Sequence, residues 1–193
     1  MSNELQVNGQ FEIQNPGTAT FHQSGSGTQI GYVANQTINL NVNGYSLPQM
    51  PAFINREYFN LFVVEAGPLD GKILMAKRDS LNEYTSELER KVFAKPNLEA
   101  AEKIKEIPAL IMVKNTRGNV AEDNQYAAFG FVTELKDFGE YIQVSYVIFN
   151  QIKQQRLNEL ADSLKLKMAP DVNELDVVHW SIKKVNLMDV LGL

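Results

Sequence analysis

Few residues in this chain have side chains suited to chemistry. Histidine occurs twice, as His22 and His179, and cysteine is absent. That composition excludes disulfides, thiolate zinc sites, iron–sulfur clusters, cysteine nucleophiles and multi-histidine metal centres. His179 adjoins the single tryptophan, Trp180. The pair is a candidate ligand site, with a ring donor next to a stacking platform. A plainer reading competes with it. Neighbours on a strand point to opposite faces, so His179 would sit with Val177 and Ser181, and Trp180 with Val178 and Ile182, as a core tryptophan beside a hydrogen-bonded histidine. Lys183 and Lys184 read as a solvated strand end. Asp70, Asp79, Glu122 and Asp123 are carboxylates on turns. The chain has no Gly-x-Ser-x-Gly elbow, His-Glu-x-x-His pair, Walker loop or kinase signature. Gly25-Ser-Gly-Thr-Gln-Ile-Gly31 carries glycines like those of a dinucleotide loop. Tyr32 to Val42, however, is rich in Asn and β-branched residues and cannot supply the helix such a loop must open. No catalytic residue, cofactor or metal ligand is assigned, and the reading leans away from an enzyme.

The elements that position these residues follow from an uneven chain. It has 193 residues, 18 Lys and Arg against 23 Asp and Glu, a net charge of -5 and a pI near 5.1. This length suits one domain of ordinary size or a smaller domain plus an appendage, and the charge repels polyanions, so no nucleic-acid partner is expected. The first residues lack a basic stretch followed by an apolar one, and no apolar run could span a bilayer, so a cytoplasmic protein with no membrane span is expected. Between Glu12 and Arg56 no Asp, Glu, Lys or Arg occurs. Asn and Gln crowd this stretch, as at Asn35, Gln36, Asn39, Asn41 and Asn43. Leu5-Gln-Val7, Phe11-Glu-Ile13 and Ile38-Asn-Leu-Asn-Val42 alternate as strands do. Ser46-Leu-Pro-Gln-Met-Pro51 then punctuates the chain. The division is an Asn/Gln/Gly-rich, β-forming N-terminal arm over residues 1–51 and a globular body over 52–193.

The body reads as α+β, with a largely antiparallel sheet and about three helices. Tyr58–Glu65 and Lys72–Lys77 are expected strands around the turn Gly67-Pro-Leu-Asp-Gly71. Ser80 and Glu83 suggest a capping box opening a helix that faces inward through Leu81, Tyr84, Leu88 and Val92. A second helix is expected from Asn97 to Pro108, with Leu98, Ala101 and Ile104 inward. Ala109–Val113 reads as a buried strand, and Tyr126–Leu135 with Tyr141–Phe149 as a hairpin. A third helix over Gln154–Leu166, a last strand over Leu175–Val185 and a terminal turn at Leu187–Leu191 complete it.

Within the arm, Ser24-Gly-Ser-Gly-Thr-Gln-Ile-Gly-Tyr-Val-Ala-Asn-Gln-Thr-Ile-Asn-Leu40 resembles the RHIM-like amyloid signalling motif of necroptosis adaptors and of bacterial and fungal defence proteins. That motif centres on an apolar residue, Gln, an apolar residue and Gly, here Thr28-Gln29-Ile30-Gly31, with Ser26-Gly27 before it and Asn35 after it. Thr28 stands where the family prefers Ile or Val. The resemblance implies homotypic amyloid-like assembly, a second protein with a like motif as a further partner, and defence or cell-death signalling. Physical chemistry agrees. In-register stacking turns Gln29, Asn35 and Gln36 into amide ladders and places Ile30 and Ile38 in a dry interface. The same stacking would set any charge against its own copies at about 4.7 Å, and this stretch has none. The body would then act as a sensor or effector. Two alternatives stand beside this reading. One is a structural protein exchanging β arms between subunits of a fixed oligomer or filament. The other is a small-molecule-binding or enzymatic domain with a dispensable tail.

Overall fold

The computed structural model describes residues 41–42, 45–46, 51, 53–65, 70–94, 98–118, 120–169 and 172–193. Asn41–Val42 pairs antiparallel with Tyr45–Ser46, within the stretch expected to form strands. The rest is organised on one mixed sheet of six strands. They are β1 (Phe59–Val64), β2 (Lys72–Ala76), β3 (Pro108–Val113), β4 (Tyr126–Phe138), β5 (Tyr141–Lys153) and β6 (His179–Lys183), in the order β6-β1-β3-β4-β5-β2. The β1–β3 pair is parallel and the other four pairs are antiparallel. The sequence explains which strands lie at the centre. Phe-Asn-Leu-Phe-Val-Val in β1 and Pro-Ala-Leu-Ile-Met-Val in β3 are continuous rather than alternating runs, as strands covered on both faces require.

Both faces are indeed covered. On one, Phe62, Ile73, Met75, Ile111, Trp180 and Ile182 pack with Phe93 of α1 (Glu87–Phe93) and Ile104 of α2 (Leu98–Glu106). On the other, Phe59, Leu61, Val63, Leu110 and Met112 pack with Leu157 of α3 (Gln154–Glu159) and with Leu187 and Leu191 of α4 (Leu187–Leu191). The α+β class therefore stands, with four helices rather than about three among the described residues and one parallel pairing in the sheet.

The helix expected to start at Ser80 begins later. Residues 77–79 form a 3-10 turn, Leu81 sits in the left-handed region at φ 48°, and α1 starts at Glu87 under Ser86, whose hydroxyl accepts from the Glu89 N–H at 3.4 Å. The Ser-x-x-Glu pattern holds at 86–89 instead of 80–83. The later start rotates the helix, so Leu88 is 73% exposed and Phe93 is buried. Ser80 to Thr85 has another task, which is to cover the outer edge of β6. Ser80 bridges to Trp180, the Leu81 N–H donates to the Trp180 carbonyl at 2.7 Å, and the Ile182 N–H donates to Thr85 Oγ1 at 3.1 Å.

In α2 the inward residues are Ala100 and Ile104, while Leu98 is exposed. The hairpin runs longer than expected, closing through Gly139 at φ 68°, and the third helix stops at Glu159. The last strand starts only at His179, because Glu174–Asp176 is a 3-10 turn.

Trp180 shows what holds the last strand to β1. Its ring stacks on Phe62 at 5.1 Å, and its Nε1–H donates to Asn60 Oδ1 at 3.1 Å. Asn60 Nδ2 in turn donates to the Ile104 carbonyl at 3.1 Å, which ties β6, β1 and the end of α2. Trp180→Phe leaves the buried Asn60 oxygen without its donor. It is expected to cost about 1–3 kcal/mol, read as a lower urea midpoint at unchanged slope.

Candidate functional site

Period-two alternation places His179, Ser181 and Lys183 on one face of β6, with Trp180 and Ile182 on the other. Three polar groups on a buried strand face need a partner, and Glu174 supplies it. The 3-10 turn carrying Glu174 is capped by Asn173, whose Oδ1 accepts from the Leu175 N–H at 2.9 Å. Lys183 Nζ reaches both carboxylate oxygens, at 2.6 Å to Oε1 and 2.8 Å to Oε2. Oε1 lies 3.0 Å from His179 Nε2 and accepts from the Ser181 hydroxyl at 3.2 Å. Oε2 also accepts from the Lys167 N–H at 2.7 Å. Glu174, His179 and Ser181 are fully buried and Lys183 is 6% exposed, so this lysine is not the solvated strand end its position suggested.

The cluster continues outward through Tyr84. The Tyr84 ring lies 4.5 Å from the His179 ring, the Lys167 ammonium lies over the Tyr84 ring at 5.1 Å from its centre, and Lys183 Nζ donates to the Tyr84 carbonyl at 2.9 Å. Burial and the nearby Glu174 and Glu83 carboxylates push the Tyr84 phenol up. For Glu174, burial would raise the carboxyl, but the His179 hydrogen bond, the Lys183 charge and the Lys167 N–H together hold it below the usual range. For Lys183, burial outweighs the attraction of Glu174 and lowers the ammonium.

Serine, histidine and glutamate this close are the residue types of a hydrolytic triad, but the geometry is different. In a triad the acid orients one ring nitrogen and the serine meets the other. Here Nδ1 lies 2.8 Å from the Val177 carbonyl oxygen, while Glu174 and Ser181 share Nε2. The serine oxygen faces no solvent. The arrangement fastens the 3-10 turn and the Tyr84 segment to β6.

A second buried set lies nearby. Asn115 Nδ2 donates to Asn158 Oδ1 at 3.0 Å and to Asp176 Oδ1 at 2.7 Å. Gln154 Nε2 donates to the Val113 carbonyl and to Asn115 Oδ1, each at 2.9 Å. It joins the end of β3 to the start of α3.

No family model, curated protein or solved structure matches this chain. Its reading therefore rests on its own residues. His179 and Trp180 are both buried and point to opposite faces, each with its own partners, so they do not line a common surface. Thr28, Gln29, Ile30, Gly31, Asn35, Gln36 and Ile38 lie outside the described residues. Asp70, Glu122 and Asp123 are exposed on turns. Among the described residues no group of three or more His, Cys, Asp or Glu is placed to hold a metal ion, and no helix is long and apolar enough to cross a membrane. Glu174 and its polar neighbours were missed at the sequence level. The signal that could have found them is the His-x-Ser-x-Lys face of an otherwise apolar strand, which calls for a carboxylate close by.

Proposed function

We propose that this protein assembles with copies of itself through stacked β-strands of its N-terminal arm, centred on Thr28-Gln29-Ile30-Gly31, and that the α+β body is the sensing or effector part coupled to that assembly. The observation that carries this reading is the contrast in charge: no ionised side chain from Ile13 to Asn55, and a densely charged body after it. Self-stacking selects against charge in this way, because every copy would face its own repulsion. The body supports the reading too, since its most reactive combination of side chains, Ser181 with His179 and Glu174, is engaged in holding the fold. A cytoplasmic setting and a role in defence or cell-death signalling belong to the same proposal and rest on the motif resemblance. A partner protein carrying a like motif would add its strand to the same stack.

Ile30→Asp in the full chain is the test. One carboxylate per chain in a dry stack at about 4.7 Å spacing is expected to reduce seeded fibre growth to the unseeded background. Thr28→Val, which restores an apolar side chain, is expected to shorten the lag. The readout is a thioflavin time course checked by electron microscopy. Equal growth of Ile30→Asp and the parent would remove residues 28–31 from the core of the assembly.

A further inference from the structure

The two edges of the six-stranded sheet are treated differently. The outer edge of β6 is covered by Ser80 to Thr85, as described above, whereas on the outer edge of β2 the Ala76 carbonyl alone is hydrogen-bonded among the described residues. The bonds from the Tyr146 N–H to the Gly71 carbonyl and from the Lys77 N–H to the Glu140 carbonyl, each 2.9 Å, set the phase of the β2–β5 ladder. By alternation, Ile73 and Met75 bond inward to β5, and Lys72, Leu74 and Ala76 turn their N–H and C=O groups outward. The Ser80 hydroxyl takes the Ala76 carbonyl at 2.9 Å. Natural edge strands are usually blunted by a central charge, a proline or a bulge. The centre of this one is Leu74, 63% exposed. The register aligns Leu74 with Gln143, Ala76 with Tyr141, and Tyr141 with Phe138, so exposed Leu74, Tyr141 and Phe138 share one sheet face.

We propose that β2 pairs antiparallel with β2 of a second copy about a two-fold axis at Leu74, joining two six-stranded sheets edge to edge. The outward groups fit this register. Leu74 would exchange both backbone bonds with its counterpart, and on either side the Ala76 N–H would donate to the Lys72 carbonyl of the other copy, the Ala76 carbonyl being held by Ser80. The charges fit as well. A two-fold at residue 74 brings the Asp70 end of one strand to the Arg78 end of the other. Arg78 is 87% exposed in its side chain, with only a 3.8 Å contact to Asp79. Opposite charges therefore meet at both ends, and the exposed leucines meet at the centre. This pairing involves the body alone and does not depend on the arm.

The absence of cysteine makes the test clean. Directly opposed, hydrogen-bonded residues have Cα atoms about 5.5 Å apart, inside the disulfide range, whereas two copies of residue 72 would be roughly 14 Å apart. Full-length protein carrying Leu74→Cys is expected to form a covalent dimer under mild oxidation about tenfold faster than protein carrying Lys72→Cys. Both are made in the Ile30→Asp background as well as alone, so that arm-driven encounters are scored separately by the fibre assay. Arg78→Asp is expected to slow crosslinking at Cys introduced at 74, and Asp70→Arg combined with Arg78→Asp to restore it. Equal crosslinking at 72 and 74, crosslinking at 74 that vanishes with Ile30→Asp, or indifference to the charge swap would each overturn the proposal.

Discussion

Glu174→Gln is expected to cost about 3–5 kcal/mol, because it leaves the Lys183 ammonium buried without its counter-charge. The carboxylate accepts from Lys183 on both oxygens, from Ser181 and from the Lys167 backbone, and sits against His179. An amide can keep some of these contacts but cannot neutralise the lysine. The test of cause is the double replacement Glu174→Leu with Lys183→Met. By removing both charges together it should recover a large part of the loss, as well-packed apolar replacements of buried ion pairs do.

Acidity provides a second readout. Because the Glu174 carboxyl is held below its ordinary range in the folded protein, its contribution is present above the unfolded carboxyl pKa and is lost as pH falls through the folded value. Lys183 works on the alkaline side. Its folded value is lowered, so stability gained through this group rises with pH between its folded and unfolded values. Thermal melts from neutral to acid pH should therefore show a shallower acid limb in Glu174→Gln than in the parent. Equal acid limbs, or a loss below about 1 kcal/mol at neutral pH, would mean that the cluster adds little to stability.

Gly130→Ala is the second change with a large expected effect, and its cause is steric. Gly130 lies at a register shift in the β4–β5 hairpin, between Phe129 opposite Asn150 and Gly130 opposite Ile148. A Cβ there would lie 1.8 Å from the Val147 carbonyl oxygen and 2.9 Å from its carbon. Backbone, not a flexible side-chain tip, stands in the way, so two strands must part at an interior pair of the sheet. A loss of about 3 kcal/mol or more is expected, seen as a lower urea midpoint. Gly139→Ala serves as the contrast. Its φ of 68° strains any other residue, but no atom lies within 4 Å of the added carbon, so its cost should be smaller.

Much of the body was legible in its residues, and the failures have identifiable causes. The buried strands β1 and β3 could be read because nothing but a two-sided core accepts such apolar runs. The Leu81–Val92 face could not, because a helix's phase depends on where it starts. Ser80 and Ser86 each begin a Ser-x-x-Glu pattern, and the first is diverted by the strand edge it covers. The lysine at 183 looked like a strand end because local sequence gives no sign of the carboxylate brought to it by a 3-10 turn nine positions upstream.

The residues by themselves determined the class of the body, its central strands, the alternation that separates His179 from Trp180, and a charge-free stretch from Ile13 to Asn55 unlike the rest of the chain. All of these depend on period, composition and turn chemistry, which act over a few residues. Only the tertiary structure decided which polar side chains are paired inside, which of two capping serines opens a helix, and which sheet edge is covered. Those outcomes depend on contacts across long stretches of chain, such as Thr85 with Ile182 or Asn60 with Trp180, where burial makes each unpaired group costly and so selects its partner.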